Sequence, residues 1–154
     1  MKPGAFTQLY THLIFAVKYR ERLLTKNIRD EVFRYISGII INRRHKSIII
    51  NGMPDHIHIL VGLNPDDKIS DLVGSIKKNS SVYINEKKLF HGTFQWQDGY
   101  GAFSYGKSQL NNVYSYILNQ EIHHRKRTFR EEYTALLNKY EIQYDEKFLF
   151  EFFE

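Results

Sequence analysis

The chain has no cysteine in its 154 residues, which excludes disulfides, a thiolate nucleophile and any thiolate-bound metal. It also lacks a run of about eighteen apolar residues, so no membrane-spanning helix is expected. Met1-Lys2-Pro3-Gly4 leads straight into a strand-like pattern; no signal peptide is expected, and the protein reads as soluble and cytoplasmic. Internal repeats, low-complexity segments and linkers are missing as well, so residues 1–154 read as one domain large enough to bury an ordinary core.

What is present points to an anionic partner. Net charge is +5 and the pI is about 9.3, a balance that favours nucleic acid without specifying a sequence. Hydrophobic and charged contents of 42% and 25% are those of a globular protein. Eleven Tyr and eleven Phe bring the aromatic share to 15%. Rings interleaved with Lys and Arg suit single-stranded nucleic acid, where bases stack and phosphates meet cations. A core built from aromatics accounts for most of them equally well.

Hydrophobic periodicity gives the element order. Residues 8–17 alternate as a first strand, and Ile28, Val32, Ile36, Ile39 and Ile40 follow helical spacing over 28–45. Two strands, 47–51 and 56–63, flank a turn around Gly52-Met53-Pro54-Asp55. Asp66 or Asp67 can cap a second helix carrying Ile69, Leu72, Val73, Ile76 and Tyr83. Asp98-Gly99 reads as a hairpin turn between 94–96 and 100–105. A third helix is expected over about 108–127. Thr128-Phe129-Arg130-Glu131 is a capping box, opening a C-terminal helix and tail over 128–154. The tail, 148–153, is apolar and suited to packing on the domain or a partner. Strand, helix, strand, strand, helix, strand is the split βαβ order. It predicts an α+β, ferredoxin-like antiparallel sheet with two crossover helices on one face.

Two patterns carry chemistry. In Asp55-His56-Ile57-His58-Ile59-Leu60-Val61, strand alternation turns His56 and His58 to one face and Ile57, Ile59 and Val61 to the other. Paired imidazoles suit a divalent metal, although a hydrogen-bonded packing pair would look the same. On the third helix, Leu110, Val113, Tyr114, Ile117 and Leu118 share an apolar stripe, so Tyr114 reads as a core ring. Tyr116 lies off that stripe, next to Asn112 and Gln120 at four-residue spacing. A tyrosine on a polar face beside an amide is a candidate nucleophile; an ordinary surface tyrosine is the alternative. His124-Arg125-Lys126-Arg127 follows as a cationic run suited to phosphates or simply to solvent. His12 is open between packing and site roles.

Together these segments carry a family resemblance. Thr11-His12-Leu13-Ile14-Phe15 with Lys18-Tyr19-Arg20, the Asp55–Leu60 motif, Trp96-Gln97-Asp98-Gly99-Tyr100-Gly101-Ala102-Phe103-Ser104, Tyr116-Ile117-Leu118-Asn119-Gln120, His123-His124-Arg125-Lys126 and Thr128-Phe129-Arg130-Glu131-Glu132 occur in order. The chain resembles the small single-tyrosine HUH (His-hydrophobic-His) transposases of bacterial insertion sequences over nearly its whole length. The resemblance implies that Tyr116 attacks single-stranded DNA to give a 5′-phosphotyrosine. It implies that His56 and His58, with Gln120 as third ligand, hold a divalent ion, Mg²⁺ or Mn²⁺. It also implies a homodimer that recognises DNA hairpins at element ends, with the tyrosine helix acting in cis or in trans. Lys18, Arg20, Lys77, Lys78, Arg125 and Lys126 become candidate phosphate contacts, and Trp96 and Tyr100 candidate stacking surfaces. A domesticated, repeat-associated relative, a catalytically silent single-strand-binding module and a water-activating metal hydrolase are the competing readings.

Overall fold

Alternating apolar positions build the sheet. In the computed structural model, which describes residues 3–18, 24–89 and 91–152, the strands are β1 (Tyr10–Ala16), β2 (Lys46–Met53), β3 (His56–Gly62) and β4 (Gly101–Tyr105). Helix α1 (Lys26–Asn42) links β1 to β2, and α2 (Ile69–Glu86) links β3 to β4. The strand order is β2-β3-β1-β4, antiparallel throughout. This is the ferredoxin-like arrangement expected from the element order.

One face of the sheet is sealed. Leu13, Phe15 and Val17 join Ile57, Ile59 and Val61 in a core with Val32, Ile36 and Ile40 of α1 and Leu72, Val73 and Ile76 of α2. Each such fully buried side chain contributes about 1.5–3 kcal/mol relative to exposure. Period-two geometry turns the intervening residues to the other face. Cross-strand register groups His12 and Ile14 of β1 there with His58 and Leu60 of β3, Asn51 of β2 and Gly101 and Phe103 of β4.

Three further helices lie on the chain after β4: α3 (Leu110–Leu118), α4 (Gln120–His124) and α5 (Phe129–Lys139). Val113 and Ile117 of α3 pack with Leu60. Thr128 caps α5 as anticipated: its hydroxyl accepts from Glu131 N–H while the Glu131 carboxylate accepts from Thr128 N–H. Phe129, Tyr133 and Leu137 bury the inner stripe of α5. The tail packs on this domain, with Phe150 and Phe152 against Phe129 and Tyr133. Phe148 is 80% exposed, and Phe153 lies outside the described residues.

Three expectations are corrected. No hairpin forms at Asp98-Gly99. Val17 bridges Trp96, and Gln97 N–H donates to Ala16 C=O, so 95–97 runs alongside β1 just as β4 does. Gly99, at φ +89°, bends that edge without reversing it. Helix α2 starts at Ile69 with Lys68 at its cap, because the Asp67 carboxylate accepts from Arg43 and His45 instead. The third helix is broken at Asn119, φ −98° and ψ 30°, into α3 and α4. Among the described residues, no helix is long and apolar enough to cross a membrane.

Candidate active site

The two histidines of β3 are held by their outer nitrogens. His56 Nδ1 lies 2.8 Å from the Asp55 carboxylate, and His58 Nδ1 lies 2.8 Å from His12 Nε2. Fixing Nδ1 orients each ring and leaves Nε2 for the interior, the arrangement typical of metal-binding histidines. The Phe129 ring stacks on His56 at 3.8 Å and 2°, which locks the ring plane. Both histidines are fully buried.

Their Nε2 atoms face a carboxylate that arrives from α5. Glu132 Oε1 is 3.2 Å from His58 Nε2, 3.5 Å from His56 Nε2 and 3.1 Å from His124 Nε2. Glu132 Oε2 accepts from the Tyr116 hydroxyl and, at 3.2 Å, from the Gln120 amide. Gln120 Oε1 in turn sits 3.4 Å from His56 Nε2. A cation also approaches the phenol: Arg127 Nη2 donates to the Tyr116 oxygen at 3.4 Å. The Tyr116 ring stacks on His123 at 4.6 Å.

This packing sets the protonation states. Burial alone would raise Glu132, but the charges and hydrogen bonds of His58, His124 and His56 outweigh it and hold the carboxyl well below its usual range. Burial, followed by the Glu132 charge, pushes the Tyr116 phenol well above its ordinary value, with Arg127 opposing. His58 and His12 are lowered, burial being the largest cause in both. His56 is raised, because Asp55 and Glu132 together exceed its burial penalty.

The donor set fits a divalent ion. One ligand atom each from His56, His58 and Glu132 lie within 4.8 Å of one another. Two imidazole nitrogens and an ionised carboxylate are transition-metal ligands, with the Gln120 carbonyl alongside.

Of the residues singled out in the sequence, His56, His58, Tyr116 and Gln120 come together. Others do not join them. Lys77 and Lys78 lie on α2, on the far side of the sheet. The Lys77 amine donates to the carbonyls of Gln97 and Gly99 at 2.8 and 2.6 Å, and burial brings it down to about 8. Trp96 is corrected from a stacking surface to a core ring: it is buried between Phe15 and Phe94 and donates to Ser80 Oγ. Tyr100, Lys18, Arg125 and Lys126 are exposed, and Arg20 lies outside the described residues. Tyr114 is corrected too. It is 40% exposed, because α3 is only nine residues long and buries Val113 and Ile117 alone. His12 is part of the site through His58.

Glu132, His124 and Asn51 carry no local sequence pattern that marks them as site residues. Asn51 Nδ2 donates to the Ile117 and Leu118 carbonyls at 2.9 and 3.1 Å, tying the end of α3 to the sheet. The available signal was register: Asn51 lies opposite His58.

Comparison with known proteins bears on the family and the fold. A family model described as "Transposase IS200 like" matches residues 5–120. The ISDra2 transposase TnpA of Deinococcus radiodurans is 28% identical over 122 residues, 76% of this chain and 87% of that protein. A crystal structure from Deinococcus radiodurans R1, described as that of a transposase, aligns with TM-score 0.61 and 26% identity over 78% of this chain and 96% of its own. A REP-associated tyrosine transposase bound to a REP hairpin has the same fold, with TM-score 0.59, 18% identity and coverages of 80% and 74%.

Proposed function

The chain belongs to the IS200-like transposase family, and from that premise we propose that it cuts and rejoins single-stranded DNA at hairpin-marked ends through a covalent link to Tyr116. One arrangement carries the reading: the Tyr116 hydroxyl, the Gln120 amide, His56 and His58 converge on the buried Glu132 carboxylate.

His56, His58 and Glu132 would hold a divalent ion, with Gln120 beside them. Such an ion, when bound, would supply Lewis-acid chemistry, polarising a phosphate and offsetting charge in the transition state. Nitrogen donors favour Mn²⁺ over Mg²⁺, which prefers oxygen. The Tyr116 oxygen attacks phosphorus in line and gives its proton up to solvent, and the 3′-oxygen leaves with the bonding pair and takes a proton from solvent. Arg127 favours the phenolate character that develops as the O–P bond forms. The product is a 5′-phosphotyrosine and a free 3′-hydroxyl. Because the tyrosine link conserves the phosphodiester energy, another 3′-hydroxyl can reverse the step and join new ends.

Hairpin recognition belongs to this proposal, motivated by the hairpin-bound relative of the same fold. Arg125 and Lys126, exposed just after α4, are the strongest phosphate contacts by position; Lys18, Arg20 and Tyr100 extend the set. A homodimer is part of it as well, since β2 and β4 each present one edge without a partner strand among the described residues.

The test incubates the protein and Mn²⁺ with labelled single-stranded oligonucleotides tiled across the DNA flanking its gene, beside Tyr116→Phe, on a denaturing gel. A protein–DNA adduct for wild type and none for the variant is expected. Cleavage without an adduct would mean a hydrolase, and binding without either would mean a silent module. His56→Ala should lose cleavage yet keep hairpin binding in a mobility-shift assay.

A further inference from the structure

Beside Tyr116 the chain leaves a cavity of about 310 Å³, the size of a small-ligand site rather than of a trapped water. His12, Tyr105, Asn112, Tyr116, Arg127 and Lys139 contribute to its wall. With three apolar side chains beside them, this is a mixed lining of two phenol rings, an imidazole, an amide and two cations. His12 adds an unmet hydrogen bond: the residue is 1% exposed, and its Nδ1 is buried with no partner.

The tautomers decide what that nitrogen offers. For His58 Nε2 to ligate a metal it must be unprotonated, so His58 Nδ1 carries the hydrogen and donates to His12 Nε2. His12, accepting at Nε2, then carries its own hydrogen on Nδ1. In the metal-holding state a residue that lines the cavity therefore carries a buried N–H donor without an acceptor, and such a group calls for one. Phosphate oxygens and base carbonyls are acceptors of the right kind. Arg127 lies both in this wall and 3.4 Å from the Tyr116 oxygen, so a phosphate it holds is within reach of the nucleophile.

We propose that this cavity is a nucleotide subsite: it takes the single deoxynucleotide adjoining the phosphate that Tyr116 attacks. The base lies among Tyr105, Asn112 and His12, and the phosphate lies towards Arg127 and Lys139. Aromatic faces with cations beside them are the usual means of holding an unpaired base. The inference rests on Tyr116 being the nucleophile. It adds a protein contact to one base next to the cut, formed partly by α5, which lies beyond the family match ending at residue 120.

The experiment uses the full chain, Mn²⁺ and whichever flanking oligonucleotide gives the wild-type adduct. An abasic residue is walked through the positions on either side of the cut. One position is expected where losing the base slows adduct formation about tenfold. That penalty should disappear in Ala135→Trp, which fills the exposed mouth of the cavity, and in Asn112→Ala, which removes the amide. Both variants should bind Mn²⁺ as wild type does by paramagnetic resonance, reporting an intact metal-binding set. A walk with no sensitive position, or a penalty equal in the variants and wild type, overturns the subsite. Wild type forming no adduct on any oligonucleotide instead overturns the tyrosine chemistry, and the subsite with it.

Discussion

A carboxylate buried among imidazoles is costly unless its lone pairs are engaged, and Glu132 meets that condition through His56, His58, His124, Tyr116 and Gln120. Glu132→Gln keeps the shape and removes the charge. Mn²⁺ affinity should fall about 10- to 100-fold by isothermal titration, and an unchanged affinity would remove Glu132 from the ligand set. Tyr114→Phe should form adduct at the wild-type rate, since that ring faces solvent. A pH dependence follows from the histidines of the metal-free protein. His12 and His58 are held below their ordinary values by burial first, so the unfolded chain takes up protons before the folded one, and stability falls as pH drops through about 6.5. His56, raised, works the other way: its contribution is intact in acid and fades as pH rises through its folded value. His123 is lowered by burial as well, and three groups against one give a lower melting temperature at pH 5.5 than at pH 7.5; the reverse order would contradict the assigned directions. The histidine pair was legible in the sequence because strand alternation is local. Glu132 was not, because its partner His58 is 74 positions away and its neighbour Glu131 makes the same local pattern as a helix cap.

Elements were legible where one periodicity governed a whole segment and illegible where a distant contact ended it. The four strands, α1, α2 and the capped start of α5 each follow a local pattern. The break at Asn119 does not, because Asn51 on β2 satisfies the last carbonyls of α3, and the chain then turns to bring Gln120 to His56. The same holds at the β4 edge, where Gly101 is required by a helix far along the chain. A Cβ there would lie 2.8 Å from Tyr133 Cε1 and 2.9 Å from its hydroxyl, and a rigid ring packed on the sheet cannot yield cheaply. Gly101→Ala should cost about 1–3 kcal/mol as overpacking, seen as a lower melting temperature. Because Tyr133 adjoins Glu132, the substitution should also weaken Mn²⁺ binding. A variant with both properties unchanged would show that α5 does not depend on this close approach.

At the scale of the molecule, the site joins two parts: the sheet with its histidines, and the helical module after β4 that supplies Tyr116, Gln120 and Glu132. Within one chain, Asn51 ties α3 to β2, Val113 and Ile117 pack with Leu60, and Glu132 links both parts. These contacts favour a tyrosine that serves the histidines of its own chain. In a two-fold dimer, cis and trans use give opposite results when inactive variants are mixed. If each tyrosine serves its own histidines, a His56→Ala subunit paired with a Tyr116→Phe subunit has two dead sites: one lacks the metal ligand and the other the nucleophile. If tyrosines are exchanged, the same heterodimer has one site with wild-type His56 and wild-type Tyr116. Random remixing makes half the dimers heterodimers, so about a quarter of all sites would recover under exchange. Co-refolding the two variants in equal amounts and assaying adduct formation should therefore yield none. Recovery near a quarter of wild type would mean that the helical module crosses to the partner, and the intrachain tie through Asn51 would then describe a state the protein leaves in order to cut.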